Sequence, residues 1–289
     1  MAVGSSPTVR RRRLAAELKA LRLSKGMTGV EASRRMEADP SWISRIESGR
    51  RGIKTRDLRL LLDVYEVEDE EYREGLLDLA RQAKQRGWWH TYTDVIPDDF
   101  QDYVGLEAEA DSLRVYQAEL VPGLLQTSDY HRALLQIPPS KPSEDEIERR
   151  VQLRLARQQR LTAEDRRLDL WVVLNEAVLR RVIGGAETMA TQLTHLVEAG
   201  ELSNVTIQVL PFSAGAHQAM TGSFVALGFP ETADADLVYI EQQVGTLYVE
   251  DAGQVRPYTV AFDHLRAMAL SPENSLRLIA DVAKEYMPA

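Results

Sequence analysis

The side chains with the best prospects for chemistry lie in the second half of the chain. Glu176, Arg180 and Arg181 follow a β-forming run, His217 ends the turn Pro211-Phe-Ser-Ala-Gly-Ala-His217, and Glu241 closes another apolar run. A histidine in such a turn is a candidate general base or ligand contact, and a structural turn histidine is the plainer reading. Glu176 and Arg181 suit an ion pair or a helix cap better than a catalytic dyad. Glu176, Arg181, His217 and Glu241 are therefore taken as candidates for touching a ligand or partner. The 289 residues include no cysteine, which excludes disulfides, thiolate zinc sites, iron–sulfur clusters and a Cys nucleophile. His90, His131, His195, His217 and His264 are nowhere spaced three or four apart, as a helical metal site requires. The common nucleotide-binding, zinc-protease and serine-hydrolase motifs are missing too. No catalytic residue, metal or cofactor is expected, and the chain is not read as an enzyme.

Charge divides the chain unevenly. Residues 1–62 hold 15 Lys+Arg and 6 Asp+Glu, a net of +9, and the remainder carries −18 of the total −9. A basic head on an acidic body predicts a polyanion-binding module joined to a part that binds no polyanion. With 44% hydrophobic residues and no apolar run near the ~20 residues of a membrane span, a cytoplasmic protein without a membrane partner is expected.

The elements that must position any contact in the head are helices. Residues 1–9 read as a disordered tail. Leu14, Leu18 and Leu21 then form one apolar stripe, which Gly26 ends. Thr28 and Glu31 have capping-box spacing at the start of a short helix. A turn through Glu37-Ala-Asp-Pro40 leads to a second short helix, from about Ser41 to Ser48, with Ile43 and Ile46 inward and Gly49 as its stop. Thr55 is read as the cap of a fourth helix carrying Leu58, Leu61, Leu62 and Tyr65, and a fifth runs from near Tyr72 to Arg86. Two short helices around a tight turn make a helix-turn-helix.

The stretch Thr28-Gly-Val-Glu-Ala-Ser-Arg-Arg-Met-Glu-Ala-Asp-Pro-Ser-Trp-Ile-Ser-Arg-Ile-Glu-Ser-Gly49 resembles the phage-repressor, or xenobiotic-response-element (XRE), helix-turn-helix family without a gap. That resemblance implies that the second helix enters the major groove. It makes Ser41, Trp42 and Arg45 the base-reading candidates, Arg45 through a bidentate contact to guanine. Thr28, Arg34, Arg35, Ser44, Arg50, Arg51 and Lys54 become the candidates for the DNA backbone, which position without reading sequence. Two departures stand out: Gly29 replaces a frequent phosphate-clamping Gln, and Glu37 sits where the turn usually has Gly.

Residues 87–105, aromatic and Pro-containing, read as a docked connector. The region from Leu106 reads as a helix or strand into a Pro-Gly turn, followed by a short helix near Thr127. The run Ile147–Leu161 reads as an exposed amphipathic helix, with a second nucleic-acid contact as the other use of its arginines. Strands are predicted at Leu168–Leu174, Val205–Leu210, Ser223–Gly228, Leu237–Glu241 and Thr246–Val249, the last two joined by a hairpin near Val244-Gly245. Helices are predicted at Glu176–Ile183, Glu187–Ala199, Val260–Ala269 and Glu273–Tyr286. The fold class is thus a five-helix head over residues 10–86 and an α+β body over 106–289 with one mixed sheet.

The phrases Pro122-Gly-Leu-Leu-Gln-Thr127, Tyr130-His-Arg-Ala133, Asn175-Glu-Ala-Val-Leu-Arg-Arg181 and Val205-Thr-Ile-Gln-Val-Leu-Pro211 resemble those of actinobacterial helix-turn-helix regulators with a C-terminal domain of unknown function. The resemblance implies a transcriptional regulator that binds double-stranded DNA as a homodimer. Its body is expected to dimerise and to receive a signal, from a small partner protein of unknown-function type or a small-molecule effector. The arrangement is similar to a toxin–antitoxin pair. The alternative is an enzyme acting on a small molecule, tethered to DNA by its head, which requires Glu176, His217 and Glu241 to share a pocket.

Overall fold

Apolar residues three and four apart in the head do form helices. In the computed structural model α1 (Pro7–Ser24), α2 (Gly29–Arg35), α3 (Trp42–Glu47), α4 (Thr55–Val64) and α5 (Glu70–Gln82) make up a first unit ending at His90. The structure describes residues 7–49, 51–85, 87–137, 142–229, 236–243 and 245–287, with Pro7, Asp98 and Asp99 as backbone only. Residues 1–6, Arg50, Arg86, residues 138–141 and Val244 lie outside them, and with these most of the expected tail, one backbone-contact candidate, the expected end of the fifth helix and part of the expected hairpin.

Leu14, Leu18, Ile43, Ile46, Leu58, Leu61, Leu62, Leu76 and Leu77 form one core with Tyr65. Each such side chain contributes about 1.5–3 kcal/mol on burial. The cores of α1, α3 and α4 are those the apolar spacing predicts. Three boundaries differ. Helix α1 begins at Pro7 rather than Arg10, so residues 7–9 are helical and not tail; proline is preorganised for a first turn. Arg10 is buried and donates from Nη1 to Gln85 Oε1 at 3.1 Å. Thr55 is the first helical residue of α4, preceded by Lys54 with no side-chain cap. Asp69 caps α5 by accepting from Tyr72 N at 3.0 Å, which starts that helix two residues before Tyr72.

The second unit runs from Thr91. Its elements are α6 (Asp98–Glu107), β1 (Ser112–Gln117), α7 (Ser128–Leu135), α8 (Glu144–Gln158), β2 (Asp169–Asn175), α9 (Ala177–Arg180), α10 (Ala186–Ala199), β3 (Val205–Leu210), β4 (Phe224–Gly228), β5 (Leu237–Gln242), β6 (Gly245–Val249), α11 (Ala252–Met268) and α12 (Pro272–Glu285). The six strands form one mixed sheet in the order β3-β2-β1-β4-β5-β6. Strands β1, β2 and β3 are parallel, whereas β4, β5 and β6 pair antiparallel. The α+β body with one mixed sheet is therefore the architecture observed.

Alternation along the strands splits the sheet into two faces. Tyr116, Val173, Phe224 and Val238 pack with Phe262 and Leu265 of α11. Leu113, Val115, Val225 and Tyr239 face the side lined by Phe100 and Tyr103 of α6 and by Arg154 and Arg157 of α8. The β3 edge is covered: Ser275 Oγ accepts from Val209 N at 2.9 Å, and Val209 O accepts from Leu270 N at 2.9 Å. An edge without such cover is a template for aggregation.

Three elements depart from expectation. Part of the connector is α6. Helix α11 starts eight residues before Val260 and carries Pro257 in its second turn, where proline removes a single ladder bond. Helix α8 is not an exposed helix, since Ile147, Val151, Leu153 and Arg157 are buried.

Candidate nucleic-acid interface

The helix-turn-helix is held by side-chain hydrogen bonds at three points. At the start of α2, Thr28 Oγ1 accepts from Glu31 N at 3.2 Å while the Glu31 carboxylate accepts from Thr28 N at 2.8 Å. The backbone bond from Thr28, then its hydroxyl, hold the Glu31 carboxyl below its usual range. At the crossing of α2 and α3, buried Ser33 accepts from Ile43 N and donates to Pro40 O, both at 3.4 Å. At the start of α3, Asp39 Oδ1 accepts from Ser41 N at 2.8 Å and from Ser41 Oγ at 2.5 Å. The Ser41 hydroxyl, ahead of its amide, holds the Asp39 carboxyl below its usual range. Glu37 takes the left-handed conformation, φ 51°, in the turn where glycine would adopt it without strain.

These bonds set the reading end of α3. Arg45 is exposed, and its Nη2 donates to Ser41 Oγ at 2.7 Å. Ser41 is half-buried and stands at the helix N-terminus. Neither is enclosed, so both are available to a groove. Trp42 is also half-buried, but it packs against the core, and less of it is presented outward than a base-reading role assumes. Thr28, Arg34, Arg35, Ser44, Arg51 and Lys54 are all exposed.

One structural group escaped the pattern. Arg22 at the end of α1 makes a fork with Glu47 of α3, Nε–Oε1 2.8 Å and Nη2–Oε2 2.9 Å, and both side chains are largely buried. Tyr65 donates its hydroxyl to the same carboxylate at 3.3 Å. The Glu47 bond holds the Arg22 pKa above its ordinary value, and burial, reinforced by Glu47, raises that of Tyr65. Nothing in the local spacing pairs residues 22 and 47; only the fold does.

The second-unit candidates do not converge. Glu176 accepts from Phe212 N at 3.0 Å and pairs with Arg180 at 3.5 Å, which fixes the turn after β3. Arg181 is exposed and pairs with Glu119. His217 Nε2 lies 3.3 Å from Tyr116 Oη, on the α11 face of the sheet, and desolvation lowers its pKa. Glu241 lies on the α8 face, beside Arg154 and His131. The pocket that would unite Glu176, His217 and Glu241 is not formed by the described residues.

Residues 100–281 match a family model described as a domain of unknown function, DUF5753, and residues 13–75 match one described as a helix-turn-helix domain. The chain belongs to the DUF5753 family. Its family domain spans the whole sheet, and the helix-turn-helix match spans the capped pair α2–α3, so this DUF5753 protein is in general terms a DNA-binding regulator. Comparison with curated proteins and with solved structures finds no match. Among the described residues no helix is long and apolar enough to cross a membrane.

Proposed function

We propose that this DUF5753 protein is an XRE-type transcriptional regulator that reads a palindromic operator as a homodimer, with α3 in the major groove. Dimeric helix-turn-helix proteins place their half-sites about one helical turn apart. The observation that carries the reading is the exposed Arg45, steadied by Ser41 at the N-terminal end of α3. An arginine so placed makes a bidentate contact to guanine. Arg34, Arg35, Arg51 and Lys54 stand exposed around it as backbone contacts. The second unit receives the signal, from a small protein partner in a toxin–antitoxin-like arrangement or from a small effector. The separation of His217 and Glu241 onto opposite faces of the sheet favours this reading over a tethered enzyme.

The test is selection of an operator from random duplexes, followed by binding at several salt concentrations. Affinity should fall steeply with salt, and replacing one backbone contact such as Arg35 by Ala should flatten the logarithmic slope by about 0.9. Loss of sequence preference at one guanine with Arg45→Ala supports the placement. An unchanged selected sequence refutes it.

A further inference from the structure

Two adjoining hollows of about 400 and 440 Å³ lie in the second unit between the sheet, α6, α7 and α8. They share Phe100, Leu135 and Tyr239 as apolar lining and His131, Arg154, Arg157 and Glu241 as polar lining. That size suits a small molecule, and the usual recipe for such a site is apolar walls with a few convergent polar groups.

The charges around the cavity are nearly all matched. Arg157, 5% exposed, forks onto Glu107 at 2.6 and 2.7 Å. Arg150 pairs with Glu146 at 2.6 Å. Arg154 is different: among the described residues it enters no ion pair, and its Nε is buried without a hydrogen-bond partner. Its guanidinium lies against Gly123, where a methyl group would collide with it. Desolvation, then the like charge of Arg157, pull the Arg154 pKa down to about 9, so at neutral pH it remains a cation held at a cost. His131, 6% exposed, also borders both hollows with Nδ1 unpartnered, and burial first, then the surrounding arginines, lower its pKa to about 3. It is therefore a neutral hydrogen-bonding group. Glu241 stands exposed at the rim. Buried polar groups such as the Arg154 Nε and the His131 Nδ1 are normally satisfied. The Arg154 charge, half-buried overall and only partly offset by the carboxylates of Glu107 and Glu241, is held at a cost.

We infer that this cavity is a binding site for a small monocarboxylate with an aromatic or aliphatic body, its carboxylate on Arg154 and His131 and its apolar part against Phe100, Leu135 and Tyr239. Among the described residues Arg154 makes no ion pair, and the Glu241 carboxylate at the rim already offsets part of its charge. A single further negative charge, that of a carboxylate, therefore suits the site better than a phosphate dianion. A carboxylate also accepts two parallel bonds from the edge of a guanidinium. The site goes beyond the operator reading and its test involves no DNA, so the two stand or fall separately.

Isothermal titration of the full chain with indole-3-acetate, phenylacetate and octanoate, each beside its amide, tests the site. At least one acid should bind saturably and roughly tenfold or more tighter than its amide, the margin of a charge-assisted bond over a neutral one. Arg154→Met should remove that preference with the circular dichroism unchanged, and Arg45→Ala should leave it intact. If Arg154→Met does not fold, Arg154→Lys, which keeps the charge but loses the planar fork, should weaken the acid severalfold. Equal binding of acid and amide, or no saturable binding of any acid at millimolar concentration, shows that water satisfies these donors and overturns the site.

Discussion

Arginines crowd two helical regions of this chain, and their surroundings send them in opposite directions. On α2 and α3, Arg34, Arg35 and Arg45 are exposed, and Ala32, Ser33, Ile43 and Ile46 beside them are buried on the inward face. On α8, Arg157 is buried with Ile147, Val151 and Leu153, and its charge is matched by Glu107 of α6. Its neighbours are engaged at the rim: Arg149 forks onto Asp94 at 2.7 Å through both nitrogens, and Arg132 of α7 pairs with Glu148. The same residue type thus serves as a contact surface in one unit and as internal bracing in the other. What sets Arg157 apart is the Glu107 carboxylate, which arrives from another element to match and hydrogen-bond its desolvated charge.

The sharpest way to break that contrast is to remove the internal match. Glu107→Gln leaves the Arg157 guanidinium buried against the rings of Phe100 and Tyr103, 5.2 and 5.6 Å from their centroids, without its carboxylate. The expected loss is about 3–5 kcal/mol of stability, read as a lower urea midpoint for the second unit. A change below 1 kcal/mol, the scale of a surface pair, would show that the bracing role is misassigned.

The first unit has a weaker version of the same device. Glu47→Gln loosens Arg22 and Tyr65 together and should cost about 2–3 kcal/mol, the scale of charge-assisted bonds. Glu47 stands two residues after Arg45, about 200° around the helix, on the side of α3 that meets Arg22 of α1. Operator affinity per folded molecule should therefore change little while the melting temperature of the first unit falls.

Arg45→Ala inverts that outcome. An exposed arginine bonded to a half-buried serine adds little to stability, whereas a bidentate guanine contact is worth about 1–3 kcal/mol. Binding should drop by that amount at unchanged unfolding midpoint, with specificity relaxed at one base pair. A loss spread evenly over all sequences would instead make Arg45 a backbone contact.

The head was legible because its signals are local. Thr28 and Glu31, Ile43 and Ile46, and the stops at Gly26 and Gly49 each act within one or two turns of chain, and both glycines take positive φ, 64° and 68°. The strands were legible for a similar reason, as runs of β-formers between turn residues. What remained hidden depends on partners far along the chain. Helix α8 reads as exposed because Glu107 lies 50 positions away. The front of α11 is masked by Pro257, which breaks a helix interior by rule, yet the helix runs on both sides of it from Ala252 to Met268. The Pro122-Gly-Leu-Leu-Gln-Thr127 phrase is visible in sequence, but its reason is not. Gly123 makes room for Arg154, and Gln192 and Gln158 satisfy the turn's backbone, at 2.7 Å from Thr127 N and 2.7 Å from Gln126 O.

The mildest perturbation tests whether the reading helix depends on α2 being closed. Thr28→Ala removes the hydroxyl half of the capping box and should cost about 1 kcal/mol. It also removes the smaller of the two Thr28 bonds that depress the Glu31 pKa, the one from the hydroxyl, and leaves the backbone one in place. A carboxyl whose folded pKa lies below its unfolded value, about 4.3 for glutamate, stabilises fully above that unfolded value. The contribution disappears as pH falls through the folded pKa. The stability gap between the parent and Thr28→Ala chains should therefore narrow, without closing, on acidification below pH ~4. A difference that stays constant down to that pH would assign the whole effect to the hydroxyl bond with Glu31 N and none to the charged carboxylate. Above pH ~6 the operator affinity of the two chains should match, since the start of α3 is held by Asp39 bonding to Ser41 and not by Thr28.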